Sequence, residues 1–336
     1  MFNGDLHDDW KWMPLIMLGA FLAFMFLDPL GMKGTGITYV INGQTALPPG
    51  PPPLPPVVPP VVDPPAEPPP PIAGFPTYET TGPKAPATTP YTGPVLINES
   101  NVTYDGYVFT QCIQVIGDNV VITNSRFVAS CNGLPMVWLR EGINLQVTNS
   151  DFVGVKLGEG VPASAVTCSS CTVQGNRLRG TADGFDPNGD AQIIGNYIGQ
   201  LGGGLTNGGP THNDGFQIAN GNGVVIRGNT INSDCGITKD QSGGAGGCNG
   251  AVFFQPYCAG CAIAGATIDG NYFQKWNGPV DTAYFVIVVD NSTNITVQNN
   301  VFGNVPGGFC SLRNGGTIPT WNANTREDAS VAAKNC

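Results

Sequence analysis

The sequence predicts an all-β coiled solenoid, and three observations carry that prediction. An eight-residue unit recurs seven times, with apolar residues at positions one, three and eight and an Asn/Gly–Asn/Ser pair at positions five and six. Its copies are VVITNSRF (120–127), LQVTNSDF (145–152), CTVQGNRL (171–178), AQIIGNYI (191–198), VVIRGNTI (224–231), ATIDGNYF (266–273) and ITVQNNVF (295–302). Successive copies start 25, 26, 20, 33, 42 and 29 residues apart, so the loops vary while the strands do not. Helical periodicity, the third point, is nearly absent.

Within each unit the period-two alternation predicts a β-strand and the Asn/Gly pair a tight turn. Asn suits that turn because it tolerates left-handed backbone geometry, and stacked side-chain amides can hydrogen-bond from turn to turn. Seven or eight coils, stacked at the spacing of neighbouring strands, make a rod of about 35 Å. Residues 95–107 are expected to close one end and 306–336 the other, the latter tied by Cys310 and Cys336.

Ahead of the predicted domain (95–336) the composition changes twice. Residues 1–32 contain the apolar run Met13–Leu27, short for a membrane span of roughly 20 residues unless Trp10, Trp12, Leu30 and Met32 extend it. We read it as an N-terminal hydrophobic helix that anchors the chain in a membrane; a peg docked in a virion or appendage is the alternative. Residues 33–94 read as linker, with fifteen prolines between Pro48 and Pro71. Such a tract stays in polyproline II and forms a stiff spacer of roughly 75 Å.

The net charge is −10, and charged residues are 11 % of the chain. An acidic domain without a cluster of Lys and Arg argues against nucleic-acid binding, which needs cations to displace counterions. All ten cysteines follow residue 111, which favours disulfides in an oxidising compartment. Taken in order they pair as Cys112/Cys131, Cys168/Cys171, Cys235/Cys248, Cys258/Cys261 and Cys310/Cys336. A four-thiolate zinc site from the two CxxC pairs, or buried free thiols, are the alternatives.

The densest chemistry lies between Asp183 and Ile231. Asp183-Gly184-Phe185 and Asp214-Gly215-Phe216 begin equivalent strands of adjacent coils, which places Asp183 and Asp214 within about 5–8 Å of each other. Asp186 and His212 fall nearby. Close carboxylates raise one another's pKa, as an acid/base pair for glycoside cleavage requires, so Asp183, Asp186, His212 and Asp214 are candidate catalytic residues. The same cluster is a candidate Ca²⁺ site, although the chemistry considered requires no cofactor. The alternative is that Asp-Gly forms the turn into each strand, the Asp capping its own backbone. Arg140, Lys156, Arg177, Gln217 and Arg227 are candidate substrate contacts. Trp138 and Tyr257, with Trp276 and Tyr284, are candidate sugar-stacking aromatics.

The repeat resembles the right-handed parallel β-helix of the pectin-lyase-like superfamily over about residues 105–305. The GFDPNGD…GNYI…HNDGFQI…VIRGNTI arrangement is similar to β-helix proteins on the surfaces of bacteria and in phage tails. That resemblance implies a single-stranded parallel β-helix which binds or processes polysaccharide in a groove along its length, as a hydrolase, lyase or epimerase if it is an enzyme. Gly184-Phe185-Asp186-Pro187-Asn188 further resembles the GFDPH motif of secreted alginate epimerases, with Asp186 at the motif's Asp and Asn188 where that family has His. The expected partners are a polysaccharide or cell-surface glycan, the membrane through the N-terminal segment, and two further copies if the rod is a trimeric spike. The expected location is membrane-anchored with the domain extracellular or periplasmic, or else on a virion surface. A structural or adhesive rod is the alternative function.

Overall fold

The structure is a computed structural model that describes residues 73–154, 157–206, 209–210, 212–232, 247–256, 261–274, 284–290, 292–304 and 308–336. Side chains at 157–159, 203–206, 209, 210, 212 and 247–249 also lie outside the description. The apolar run 13–27 and the proline tract fall outside it too. Among the described residues no helix is long and apolar enough to cross a membrane.

Each eight-residue repeat folds as strand, turn, strand. Its first half lies in one parallel sheet and its last two or three residues in the next, while the segment between repeats supplies the third side of the coil. Among the described residues sheet 1 has nine strands, from Leu96–Ile97 to Cys310–Leu312, and sheet 2 has nine, from Thr103–Asp105 to Thr320–Asn322. Sheet 3 has ten, from Thr89–Pro90 to Thr325–Arg326. Neighbours in all three sheets are parallel, as in Val147↔Val173↔Ile193↔Ile226↔Ile268↔Val297 along sheet 2. This is the topology of a parallel β-helix. Among the described residues it has nine coils, more than the seven repeats reveal, because the first and last coils carry altered turns: Tyr104-Asp105-Gly106-Tyr107 and Trp321-Asn322-Ala323-Asn324.

The turn does what its residues allow. Its first residue takes positive φ in all seven repeats, at Asn124, Asn149, Gly175, Gly195, Gly228, Gly270 and Asn299. The second is buried and bonds to the next coil. The Asn176 side-chain amide donates to Asn196 Oδ1 (3.0 Å), and the relay continues through Asn229, Asn271 and Asn300 to Asn324. Each of these amides also donates to a carbonyl of the preceding coil, such as Asn229 to Ile193 O at 2.9 Å. In the first coils Ser125 and Ser150 take the same place, with Ser150 N donating to Asn176 Oδ1. Position eight stacks inside: Phe109, Phe127 and Phe152 have ring centroids 4.5 and 4.6 Å apart, and all three are fully buried.

Two departures shape the surface. A small fourth sheet joins Leu157–Glu159 to Gly203–Thr206, which in turn pairs with Gly209–Pro210. Its two long members leave the sheet 3-to-sheet 1 corners of coils two apart, so the sheet spans the intervening corner, Gly180–Gly184. The other departure is the segment ahead of the first repeat. Residues 73–94 lie along the outside of sheet 3 as a strap. Phe75 contacts Tyr272 (5.4 Å between centroids), Tyr78 contacts Tyr197 (6.1 Å), and Gly82 N donates to Gly175 O. Thr89–Pro90 then pairs with Tyr107–Val108 as the first strand of sheet 3. Aromatic contacts and backbone hydrogen bonds fix this segment despite its lack of alternation.

Disulfides join Cys112 to Cys131, Cys168 to Cys171 and Cys310 to Cys336. Cys261 is also disulfide-bonded. Cys235, Cys258 and the Cys248 side chain lie outside the described residues. With Cys168 and Cys171 oxidised to each other, a four-thiolate zinc site using that pair is not formed.

Candidate functional site

The first Asp-Gly-Phe triplet lies at the covered corner and the second at the equivalent place in the next coil. Phe185 and Phe216 are in register and fully buried in the core. Gly184 and Gly215 stack above one another without room for a side chain: a Cβ on Gly215 would sit 2.5 Å from Ala251 O and 2.8 Å from Ile231 Cγ2. Asp183 and Asp214 thus occupy equivalent places in adjacent coils, as the spacing predicts. Asp183 Oδ1 accepts from Asp214 N at 2.8 Å, and Asp214 Oδ1 accepts from Gly250 N at 3.0 Å. Asp183 is 7 % exposed and Asp214 is 0 % exposed. Asn213 Nδ2 closes the corner from the side by donating to Ala182 O and Gly202 O. Both carboxylates therefore accept backbone hydrogen bonds from the next coil rather than capping their own turns.

Asp186 differs. It sits between the inward Phe185 and Pro187 and points outward, half-buried on sheet 1. Its Oδ2 accepts from Thr167 Oγ1 (2.9 Å), which in turn is 2.9 Å from Ser164 Oγ. Its Oδ1 is buried without a hydrogen-bond partner among the described residues. Burial pushes the Asp186 carboxyl up to about 7, against the lowering effect of the Thr167 and Ser164 hydroxyls. Burial also holds Asp183 well above the usual carboxylate range, reinforced by the charges of Asp186 and Asp214. A carboxyl near 7 exchanges its proton at neutral pH and presents either a donor or an acceptor to a hydroxyl-rich ligand.

Around Asp186 the outward positions of sheet 1 form one row through successive coils: Gln114, Trp138, Thr167, Asp186 and Gln217. The Arg140 guanidinium lies 5.4 Å from the Trp138 ring centroid, and its Nη1 donates to Gln114 Oε1 at 2.9 Å. Beyond Gln217 the row turns apolar, with Phe253 and Ile287 buried in a small cluster that Tyr284 borders. The structure thus gathers Trp138, Arg140, Asp186 and Gln217 on one face.

Other expected contacts lie elsewhere. Arg227 is on the outside of sheet 2, paired with Asp269 in the next coil (3.1 Å). Arg177 is on sheet 3 beneath the strap, bonded to Asp151 (3.0 Å) and to Tyr78 O (3.1 Å). Both are spoken for by the coil stack, and neither faces Asp186's row. His212 lies on the strand His212–Ile218 two residues before Asp214. Its side chain, with Lys156, Tyr257 and Trp276, falls outside the described residues. Among the described residues no group of three or more His, Cys, Asp or Glu side chains is placed to hold a metal ion.

Sequence reasoning passed over Ser164 and Thr167, which set Asp186's environment, and the strap residues Tyr78 and Lys84. A signal for the strap's partners was present in the seventh position of the repeat, which reads Arg126, Asp151, Arg177 in three successive coils. Alternating charge at one position of a stacked repeat marks an outward ion-pair row. No protein-family profile, curated protein or solved structure matches the chain.

Proposed function

We propose that this chain displays a right-handed parallel β-helix of the pectin-lyase-like kind, whose sheet 1 face binds a polysaccharide laid along the coils. Right-handedness follows from the strong preference of parallel crossover connections. The carrying observation is the single outward row Gln114, Trp138, Thr167, Asp186, Gln217, in which an aromatic plate and a carboxyl lie two coils apart. Trp138 offers a flat apolar surface to the C–H face of a pyranose, and the amides, hydroxyl and carboxyl offer hydrogen bonds to its rim.

The reading is of binding ahead of cleavage. Two-carboxylate hydrolysis needs both acids open to the sugar, whereas Asp183 and Asp214 are occupied with backbone amides. The disulfides support an oxidising exterior, with the N-terminal apolar run and proline tract as anchor and stalk.

The test presents the full chain with neutral and uronate polysaccharides, following retention together with reducing ends and unsaturated-uronate absorbance. Retention without product, lost at least tenfold in Trp138→Ala and weakened in Asp186→Asn, is the expected result. Product that disappears in Asp186→Asn would instead make this an enzyme with Asp186 as its acid. Retention indifferent to both substitutions would remove sheet 1 as the binding face.

A further inference from the structure

The strap does not seal sheet 3 completely. Between it and the coils lies a cavity of about 390 Å³ lined by Tyr78, Pro83, Lys84, Ala85, Pro86 and Ala87 from the strap, and by Arg126, Asp151, Arg177 and Arg179 from sheet 3. Four of the nine Lys and Arg side chains among the described residues line this one space, against a single carboxylate. In a chain of net charge −10 that concentration calls for a cause.

Asp151 answers for part of it. It lies in register between Arg126 and Arg177, in the coils before and after, and contacts their Nε atoms at 3.6 and 3.0 Å. Its side chain is only 6 % exposed, so both oxygens are engaged by these neighbours. Arg177 is further held by the Tyr78 carbonyl and lies 4.3 Å from the Tyr78 ring centroid. Arg179 and Lys84 have no carboxylate partner among the described residues. Arg179 lies 5.6 Å from the same ring, and Lys84 Nζ donates only to Thr80 O at 3.3 Å. Glu79, the other charge on this part of the strap, is directed to the Thr77 hydroxyl and influences Tyr197 on the far side of Tyr78. Crowding cations around a partly enclosed space is unfavourable when nothing offsets their repulsion, and guanidinium forks match the paired oxygens of an oxyanion.

We propose that this cavity binds the oxyanion group of a small ligand, a carboxylate, sulfate or phosphate, through Arg179, Lys84 and the exposed side of Arg126. The apolar Pro83, Ala85, Pro86 and Ala87 wall accommodates the uncharged part of the ligand. Because Lys84 belongs to the strap and the arginines to the coils, the bound anion bridges the two and fastens the strap down. The proposal is independent of the sheet 1 reading, which concerns the opposite chemistry on another face.

The experiment titrates the full chain with sodium sulfate, sodium phosphate and glucuronate, with glucose as the neutral counterpart, by calorimetry and by amide hydrogen exchange. At least one of the three anions is expected to bind, to weaken as sodium chloride is added, and to slow exchange across residues 77–87. Arg179→Gln and Lys84→Gln are each expected to weaken it about tenfold while leaving the unfolding temperature close to wild type, since neither side chain holds an ion pair of the fold. Glucuronate binding alone would assign a carboxylated sugar; sulfate or phosphate binding as well would assign any oxyanion of that size. Failure of all three anions, glucose binding as tightly as glucuronate, or anion binding unchanged in both variants would overturn the proposal.

Discussion

Burial raises Asp186 to about 7, while an aspartate in the unfolded chain ionises near pH 4. The folded protein therefore holds this proton more tightly than the unfolded one. Below the unfolded pKa both states are protonated and the stabilisation is fully present; it is lost as pH rises through 7 and a half-buried carboxyl must ionise. The loss has an upper bound of about 4 kcal/mol, and Asp183, raised for the same reason, works in the same direction. The unfolding temperature is thus expected to fall between pH 5 and pH 8. Asp186→Asn, which keeps the acceptor for Thr167 but carries no charge, should flatten that fall and be the more stable protein at pH 8. An unchanged slope in the variant would mean that another group carries the pH dependence. The same residue leaves its buried Oδ1 without a hydrogen-bond partner among the described residues, which further favours the neutral carboxyl.

At the scale of the element, the turn ladder is the device that locks one coil to the next. Asn229 accepts from both the N–H and the side-chain amide of Asn196, and donates to Asn271 and to Ile193 O. Asn229→Ala strands these groups inside a dry corner, so we expect about 2–4 kcal/mol of destabilisation in denaturant unfolding. Ser125→Ala, near the end of the stack where Ser125 Oγ donates to a carbonyl of its own turn, should cost about 1 kcal/mol. Equal costs at the two positions would argue against a cooperative ladder. This layer of the fold was legible because the repeat writes it locally: Asn or Gly where φ is positive, Asn where the amide relays, an apolar residue where the core stacks. Asp183 and Asp214 were legible as register neighbours for the same reason. The burial of Asp183 was not, because the sheet that spans its corner joins 157–159 to 203–206, a pairing between non-adjacent coils that no local pattern specifies. The strap was equally hidden, since residues 73–94 are held by single aromatic and backbone contacts rather than by alternation.

At the scale of the whole rod, a stack of coils leaves three unpaired sheet edges at each end, and such edges template association. At the amino-terminal end Tyr91, Tyr104, Tyr107 and Phe109 close the core in mutual edge-to-face and tilted contacts. At the other end residues 327–336 turn back across the last coil. Thr325 bridges Val331 antiparallel, Trp321 Nε1 donates to Ala332 O, and Lys334 Nζ donates to Ile318 O. The Cys310–Cys336 disulfide fastens this segment to the last strand of sheet 1. Closing a loop of 26 residues contributes about 3.5 kcal/mol by chain entropy. In a solenoid each coil feels mainly its neighbours, so losing that tie should act locally rather than lower the stability of every coil equally. Cys310→Ser/Cys336→Ser is therefore expected to speed amide exchange in Thr320–Asn322 and Thr325–Arg326 while Val121–Thr123 stays protected. The same variant should associate with concentration, read as growth in sedimentation coefficient, because the opened cap leaves the terminal strands free to pair with another rod. Uniform loss of protection along the rod, with the protein remaining in its original oligomeric state, would show that the segment stabilises the fold as a whole and does not guard its edge.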